Sequence, residues 1–99
     1  MTYAIFSVDN EKKNKIKDIL SDDLVSRQSI TTRDAKALKI DKEVQFVLIE
    51  GDVKAIEKAK QLFQEVGRLE EGSLAEEVYN KLKEDEQGAA VGVGFIFGN

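Results

Sequence analysis

The segment from Ser26 to Asp34 gathers the side chains best suited to hold an anion. It contains two arginines and four hydroxyl residues. Arginine forks and hydroxyl groups bind carboxylates and phosphates through charge-assisted hydrogen bonds. A small-ligand site in this segment is therefore expected to use Arg27, Thr31 and Arg33. The alternative is a polar edge strand, because edge strands commonly carry polar side chains that discourage aggregation.

Glycines alternate with apolar residues towards the end of the sequence. A strand predicted over 91–97 would place Gly92 and Gly94 on one face and the apolar residues on the other. The spacing differs from that of dinucleotide-binding and P-loop motifs. A flat glycine face could form the floor of a small-ligand site or a dimer interface, which makes Gly92 and Gly94 candidate ligand-binding residues. The alternative is that the glycines allow close packing of a helix or a second sheet.

Carboxylates are concentrated in the second half, with eight between Glu65 and Glu86. Oxygen-rich sites suit Ca²⁺ or Mg²⁺. The sequence contains no calcium-binding loop of the EF-hand type, so a cation site would have to combine separate turns. The residues predicted for it are Asp22, Asp23, Glu70 and Glu71. The alternative is a solvated acidic face.

The chain contains no histidine and no cysteine. It therefore lacks the usual general base near neutral pH, the commonest transition-metal ligand and the thiol nucleophile. A catalytic triad that depends on histidine is impossible within this chain alone. We expect a protein that is not an enzyme and has no cofactor apart from a possible Ca²⁺ or Mg²⁺ ion. The alternative is a subunit of an enzyme complex that obtains the missing groups from a partner chain.

The composition is that of a globular protein and predicts a single domain over residues 1–99. Hydrophobic residues make up 41% of the chain and charged residues 34%, with a net charge of −4. An acidic chain repels a phosphate backbone, so nucleic acid is not an expected partner. No apolar run is long enough to span a membrane, and the first residues lack signal-peptide features, which predicts a cytoplasmic protein. Abundant Lys and Glu without Cys is compatible with a thermophilic source.

Hydrophobic periodicity predicts the elements that must position these residues. The strands are expected over 3–8, 24–31, 44–50 and 91–97. The helices are expected over 10–20, 53–66 and 74–86, with a short helix over 33–39 that could also be loop. Asp9 and Asp52 are placed to cap helices, Gly67 to end one in a left-handed conformation, and Gly88 to end another.

This order predicts an α+β fold, a ferredoxin-like two-layer sandwich with about four strands and helices on one face. The helix over residues 74–86 is an addition to that plan, predicted before the last strand. With the helices on one face, the other face of the sheet would need a polar surface or a partner.

The passage from Leu48 to Ala59 runs from a strand through Gly51 and Asp52 into a helix. It resembles the same passage in small ferredoxin-like modules, such as ACT-type regulatory domains and the shell proteins of bacterial microcompartments. The likeness covers about a dozen residues and places none of those families' functional residues here. What it implies is a tendency to oligomerise.

These observations lead to three functional hypotheses. The first is a module without catalytic activity that associates with itself as a homodimer, binds another protein, or binds a small ligand at its sheet. The second is a divalent-cation-binding protein that uses the acidic half of the chain. The third is a subunit of an enzyme complex.

Overall fold

Three of the four strands that the structure describes are rich in β-branched and aromatic residues. The computed structural model describes residues 2–94, with side chains through residue 84. One antiparallel sheet contains β1 (Thr2–Asp9), β2 (Ser29–Asp34), β3 (Val44–Gly51) and β4 (Arg68–Glu70), in the order β2-β3-β1-β4. The central strands β1 and β3 pair along their whole length, whereas β4 pairs only with Ile5–Ser7 of β1. Among the described residues, the sheet therefore ends in β2 on one side and in a short β4 on the other.

Three α-helices connect or follow these strands: α1 (Ile16–Leu20), α2 (Val53–Phe63) and α3 (Gly72–Gly94). A 3₁₀ helix, Asn10–Lys15, leads directly into α1, and two shorter ones span Val25–Arg27 and Ala35–Leu38. The succession β1-α1-β2-β3-α2-β4 with this strand order is the ferredoxin-like plan. The predicted α+β class and four-stranded sandwich are confirmed.

One face of the sheet packs against α1 and α2. Its core includes Phe6 of β1 and Phe63 of α2, whose rings stack with centroids 4.3 Å apart. The strands contribute every second residue to this face, as the pleat requires. The other buried members are Ala4, Val8, Ile16, Ile19, Val25, Val47, Ile49, Ile56 and Ala59.

The opposite face is also covered, which corrects the expectation of a bare sheet. The first half of α3 and the 3₁₀ helix Ala35–Leu38 lie over it. Ala75, Val78 and Leu82 of α3 are buried against strand residues such as Ile5 and Phe46. Spacings of three and four residues place these three side chains on one helix face. Both faces of the sheet are therefore closed, and only its edges remain.

The prediction for the end of the chain is wrong in two respects. The helix expected over 74–86 is present, but it follows the last strand that the structure describes and continues through Gly88 to Gly94. The last strand of the described residues is β4 instead, and its three residues are too few to show a period in the sequence. A glycine lowers helix stability by about 1 kcal/mol relative to alanine but does not end a helix by itself. Residues 91–94 are helical, and 95–97 lie outside the described residues.

Several boundaries also differ from the predictions for local reasons. The second strand starts at Ser29 rather than 24, because Asp22 accepts hydrogen bonds from the N–H groups of Leu24 and Val25 and holds a 3₁₀ turn there. Asp9 and Asp52 occupy N-cap positions without making a side-chain capping bond. The short helix over 33–39 is the 3₁₀ helix Ala35–Leu38.

Gly67 does not have the left-handed conformation predicted for it. It is required for a different reason, since a Cβ added there would collide with the carbonyl oxygen of Ser7 and lie 2.8 Å from Cγ2 of Val8. The chain passes so close to β1 at this point that no side chain fits. Gly67 thereby allows β4 to reach its place beside β1.

Candidate interaction edges of the sheet

A groove runs between α1 and the β2 side of the sheet, with a volume of about 570 Å³. We call it the α1 groove and define it by its lining residues: Lys13, Ile16, Lys17, Leu20, Ser21, Thr32 and Gln45. Ile16 and Leu20 are one helical turn apart and form its apolar wall. Lys13 and Lys17 are also four residues apart, and both are exposed. Among the described residues that line it, two are lysines and none is acidic.

The open edge of β2 continues this groove. In the described residues, β2 pairs with β3 alone, from Ser29 opposite Glu50 to Asp34 opposite Gln45. Such an edge presents unpaired backbone N–H and C=O groups to an incoming strand. Five of its six residues are half-buried and Ser29 is exposed. The edge therefore offers unpaired main-chain hydrogen-bonding groups beside an apolar and cationic groove.

The other side of the sheet has a smaller, acidic cleft of about 320 Å³ where β4 ends and α3 begins. We call it the β4 cleft; it is lined by Tyr3, Ala4, Ile5, Lys60, Leu69, Glu70, Glu71, Gly72, Ala75 and Glu76. Two of the three large hydrophobic residues exposed in the described chain line it, Tyr3 at 41% and Leu69 at 38%. Glu71 and Glu76 are exposed, and neither forms an ion pair with a described residue. Lys60 is paired with Glu57 at 3.3 Å.

A polar cluster fastens α3 to the sheet. The Glu50 carboxylate, 11% exposed, accepts hydrogen bonds from Lys83 Nζ at 2.7 Å and from the Tyr79 hydroxyl at 3.3 Å. The Tyr79 ring stacks on Tyr3 with centroids 4.4 Å apart. Burial and the nearby negative charge of Glu50 raise the pKa of Tyr79. The cluster satisfies a nearly buried charge, so its arrangement is that of a helix attachment.

Ser7 is the one buried polar residue of the described core, and its hydroxyl donates to Glu70 Oε2 at 2.5 Å. Glu70 also lies 3.9 Å from Nε of Arg68. The chain has no histidine, so no imidazole base can accept the Ser7 proton during attack on a substrate. The contact joins β1 to β4 and thereby holds the short edge strand in place.

The residues predicted to form an anion site are not gathered at one point. Arg27 lies in a 3₁₀ helix and pairs with Asp23 at 3.2 Å. Thr31 and Arg33 do share one face of β2, the face that bears α3, and Arg33 donates to the carbonyl of Thr32 at 2.8 Å. Gly92 and Gly94 are helical residues near the end of α3 and do not form the predicted strand face.

The four residues predicted to bind a cation have other partners or lie apart. Asp22 caps a turn and lies 3.8 Å from Lys58, and Asp23 pairs with Arg27. Glu70 receives the Ser7 hydroxyl, while Glu71 is exposed in the β4 cleft. In the part of the chain that the structure describes, no three carboxylates come close enough to hold a metal ion. The geometry gives the cation hypothesis no support.

The sequence analysis did not identify the α1 groove, although Lys13 and Lys17 fall within the helix predicted over 10–20. The available signal was their four-residue spacing beside Ile16 and Leu20, which have the same spacing. What the sequence could not supply is the distance from that helix to β2. The β4 cleft was missed because β4 itself is only three residues long.

The comparisons with known proteins give no information on function. A scan against protein-family models and searches of curated proteins and of solved structures found no match. Among the described helices, none combines the length and hydropathy needed to cross a bilayer.

Proposed function

We propose that this chain is a module without catalytic activity that associates with copies of itself through the edges of its sheet. The observation that carries the proposal is that α1 and α2 cover one sheet face and α3 covers the other, while β2 has no strand on its outer side among the described residues. Strand addition at an open edge supplies main-chain hydrogen bonds for association. The adjacent α1 groove supplies an apolar surface that such a contact would bury.

The sequence of β2 is compatible with this role. It has no proline and no lysine, two of the devices that blunt an edge against pairing, and its charged residues, Arg33 and Asp34, stand at its C-terminal end. Ile30, Thr31 and Thr32 are β-branched residues that suit a strand position. The edge is therefore available for specific pairing.

The direct test is the molar mass of the purified protein measured by sedimentation across a wide concentration range. We expect the mass to rise above the 11.1 kDa of the single chain as concentration increases. A mass that stays at the single-chain value at every concentration would refute the proposal.

Proline substitution locates the interface. Along an antiparallel edge strand, N–H groups point alternately towards the neighbouring strand and outwards, so Thr31 and Thr32 differ in direction. One of the variants Thr31→Pro and Thr32→Pro will lose a bond to β3, and the other will lose only an outward donor. The variant that keeps the amide NMR spectrum of the fold should have lost association. Unchanged association in that folded variant would exclude the β2 edge.

The α1 groove favours a second function, binding of a small amphipathic anion. Its volume lies within the range of small-molecule sites, and Lys13 and Lys17 stand at its rim beside an apolar wall. Octanoate is a suitable probe for amide NMR titration. Shifts at Ile16, Leu20 and Thr32 that disappear in the Lys13→Gln/Lys17→Gln variant would support it. Shifts confined to Thr31 and Arg33 would instead support the site predicted from the sequence.

A further inference from the structure

We infer that association is head-to-tail, with the β4 edge and β4 cleft of one copy docking on the β2 edge and α1 groove of the next. This inference rests on the proposed self-association and adds the partner surface and the symmetry. The two edges lie at opposite sides of one sheet, so the same chain carries both halves of the interface.

Strand direction favours this arrangement. β1 is antiparallel to both β3 and β4, and β2 is antiparallel to β3, so β2 and β4 run in opposite directions. A second copy related by a shift across the sheet, without reversal, therefore places its β4 antiparallel to β2 of the first. All neighbouring strands of the joined sheet are then antiparallel, and the α1–α2 layers of both copies lie on the same side.

Charge complementarity points to the same partner. The α1 groove presents Lys13 and Lys17, whose ammonium groups pair with no described carboxylate. The β4 cleft presents the exposed carboxylates of Glu71 and Glu76. Opposite charges across an interface accelerate association and disfavour wrong partners. A two-fold contact between two β2 edges would instead bring two lysine-bearing grooves side by side.

The apolar parts are also matched. Leu69 lies opposite Phe6 in the β1–β4 register and therefore projects on the face that carries α1 and α2. The α1 groove opens on that face, with Ile16 and Leu20 as its apolar wall. A copy added by a shift across the sheet brings the exposed Leu69 towards this wall. The contact would bury a side chain that is 38% exposed in the single chain.

A head-to-tail contact leaves one unused edge at each end, so growth stops only if the copies close into a ring. Neighbouring strands in a sheet are rotated by roughly 20–25° because sheets twist, and successive copies will turn accordingly. The assembly is therefore a ring or a helical filament. A symmetric dimer through β2 would use up both β2 edges in a single contact.

Charge reversal and mixing test the inference. Lys13→Glu/Lys17→Glu and Glu71→Lys/Glu76→Lys should each reduce association at least about tenfold, since the two edges then carry charge of the same sign. An equimolar mixture of the two variants should recover it, because each reversed edge meets a complementary one. Lys42→Glu/Lys54→Glu and Glu11→Lys/Glu84→Lys make the same changes in net charge at exposed positions outside both surfaces, and they should associate as the unmodified chain does.

The outcomes separate this inference from the proposed function. If the lysine variant alone loses association, the chains join as a symmetric β2 dimer, so the head-to-tail arrangement is wrong and self-association stands. If the mixture fails to recover association while both variants keep the amide spectrum of the fold, the inference is also overturned. If the unmodified chain stays single at every concentration, the proposed function itself fails. Should a reversed variant not fold, Lys13→Gln/Lys17→Gln and Glu71→Gln/Glu76→Gln should each still weaken association.

Discussion

The two edges of the sheet differ in length and charge although a single sheet carries both. β2 presents six residues beside the lysines of the α1 groove, while β4 presents three residues beside the glutamates of the β4 cleft. β4 is short because the chain approaches β1 closely at Gly67 and turns into α3 at Gly72. The comparison teaches that a sheet closed on both faces can remain directional, since unlike edges allow ordered addition of copies.

The largest expected effect comes from breaking the β4 edge with Gly67→Ala. The added Cβ would collide with the backbone carbonyl of Ser7, and a backbone cannot move aside as a side-chain tip can. We expect the free energy of unfolding to fall by about 2–3 kcal/mol, the upper part of the usual range for overpacking. Urea denaturation measures this loss, and hydrogen exchange should show lost protection in β1 residues Ile5–Ser7 with β2 unchanged.

Gly72→Ala is the matched control for that substitution. Gly72 has a φ of +74°, but an added Cβ would meet no atom within 4 Å. Its cost is therefore backbone strain alone, about 1 kcal/mol. A loss for Gly67→Ala no larger than that for Gly72→Ala would show that β4 does not depend on close approach to β1.

The second effect concerns the attachment of α3, which forms one wall of the β4 cleft but no part of the α1 groove. Glu50→Gln removes the negative charge that accepts from Lys83 and Tyr79. We expect the protein to lose about 1.5–2 kcal/mol of stability, the lower part of the range for a hydrogen bond to a charged group. Denaturation measures the loss, and α3 amides should exchange faster.

Glu77→Gln supplies the comparison for this prediction. Glu77 pairs with Lys81, one helical turn away on α3, at 3.2 Å, and its side chain is half exposed. Exposed pairs between neighbouring helical turns contribute about 0.3–0.5 kcal/mol. Equal losses for Glu50→Gln and Glu77→Gln would mean that the Glu50 cluster does not hold α3 on the sheet.

Sequence periodicity predicted the long, half-buried elements correctly. It failed where the position of a segment depends on contacts with residues distant in the sequence. The strand over 44–50 and the helix that follows it were predicted because their apolar residues recur at strand and helix spacing. β4 was not, since three residues provide no period and its position depends on the contact between Gly67 and Ser7.

The candidate surfaces were likewise only partly predictable from the sequence. The types and helical spacing of Lys13 and Lys17 could be read from the sequence. Their relation to Thr32 requires the packing of α1 over β2. The alternation after Gly88 favoured a strand because its apolar residues recur at a spacing of two, whereas residues 91–94 belong to α3.

Leu69→Ser should separate association from stability. Leu69 is 38% exposed, so the free energy of unfolding should fall by about 1 kcal/mol, less than for a fully buried leucine. Association should weaken measurably, because the side chain belongs to the proposed contact. Val53→Ser, at a residue 65% exposed at the start of α2, should affect neither quantity. Equal association in the two variants would show that Leu69 is not part of the interface. The two edges would then differ only in charge.

The smallest effect is a pH dependence confined to the α3 side of the sheet. The pKa of Tyr79 is raised, chiefly by burial and then by the charge of Glu50, so the folded protein keeps its phenol proton more tightly than the unfolded chain does. Below the usual tyrosine pKa of about 10, both states are protonated and stability is unaffected. As pH rises from there through the raised pKa, the unfolded state loses the proton first, and the folded state becomes less stable.

Tyr79→Phe removes this titration while keeping the ring that stacks on Tyr3. Denaturation at increasing alkaline pH should therefore show the unmodified chain losing stability faster than the variant, whereas the difference between them stays constant near neutral pH. Hydrogen exchange should place the extra loss in α3 and the wall of the β4 cleft, with the amides beside the α1 groove unchanged. Parallel loss in both proteins would show that the Tyr79 hydroxyl is not protected by the fold. The charge of Glu50 would then hold α3 through Lys83 alone.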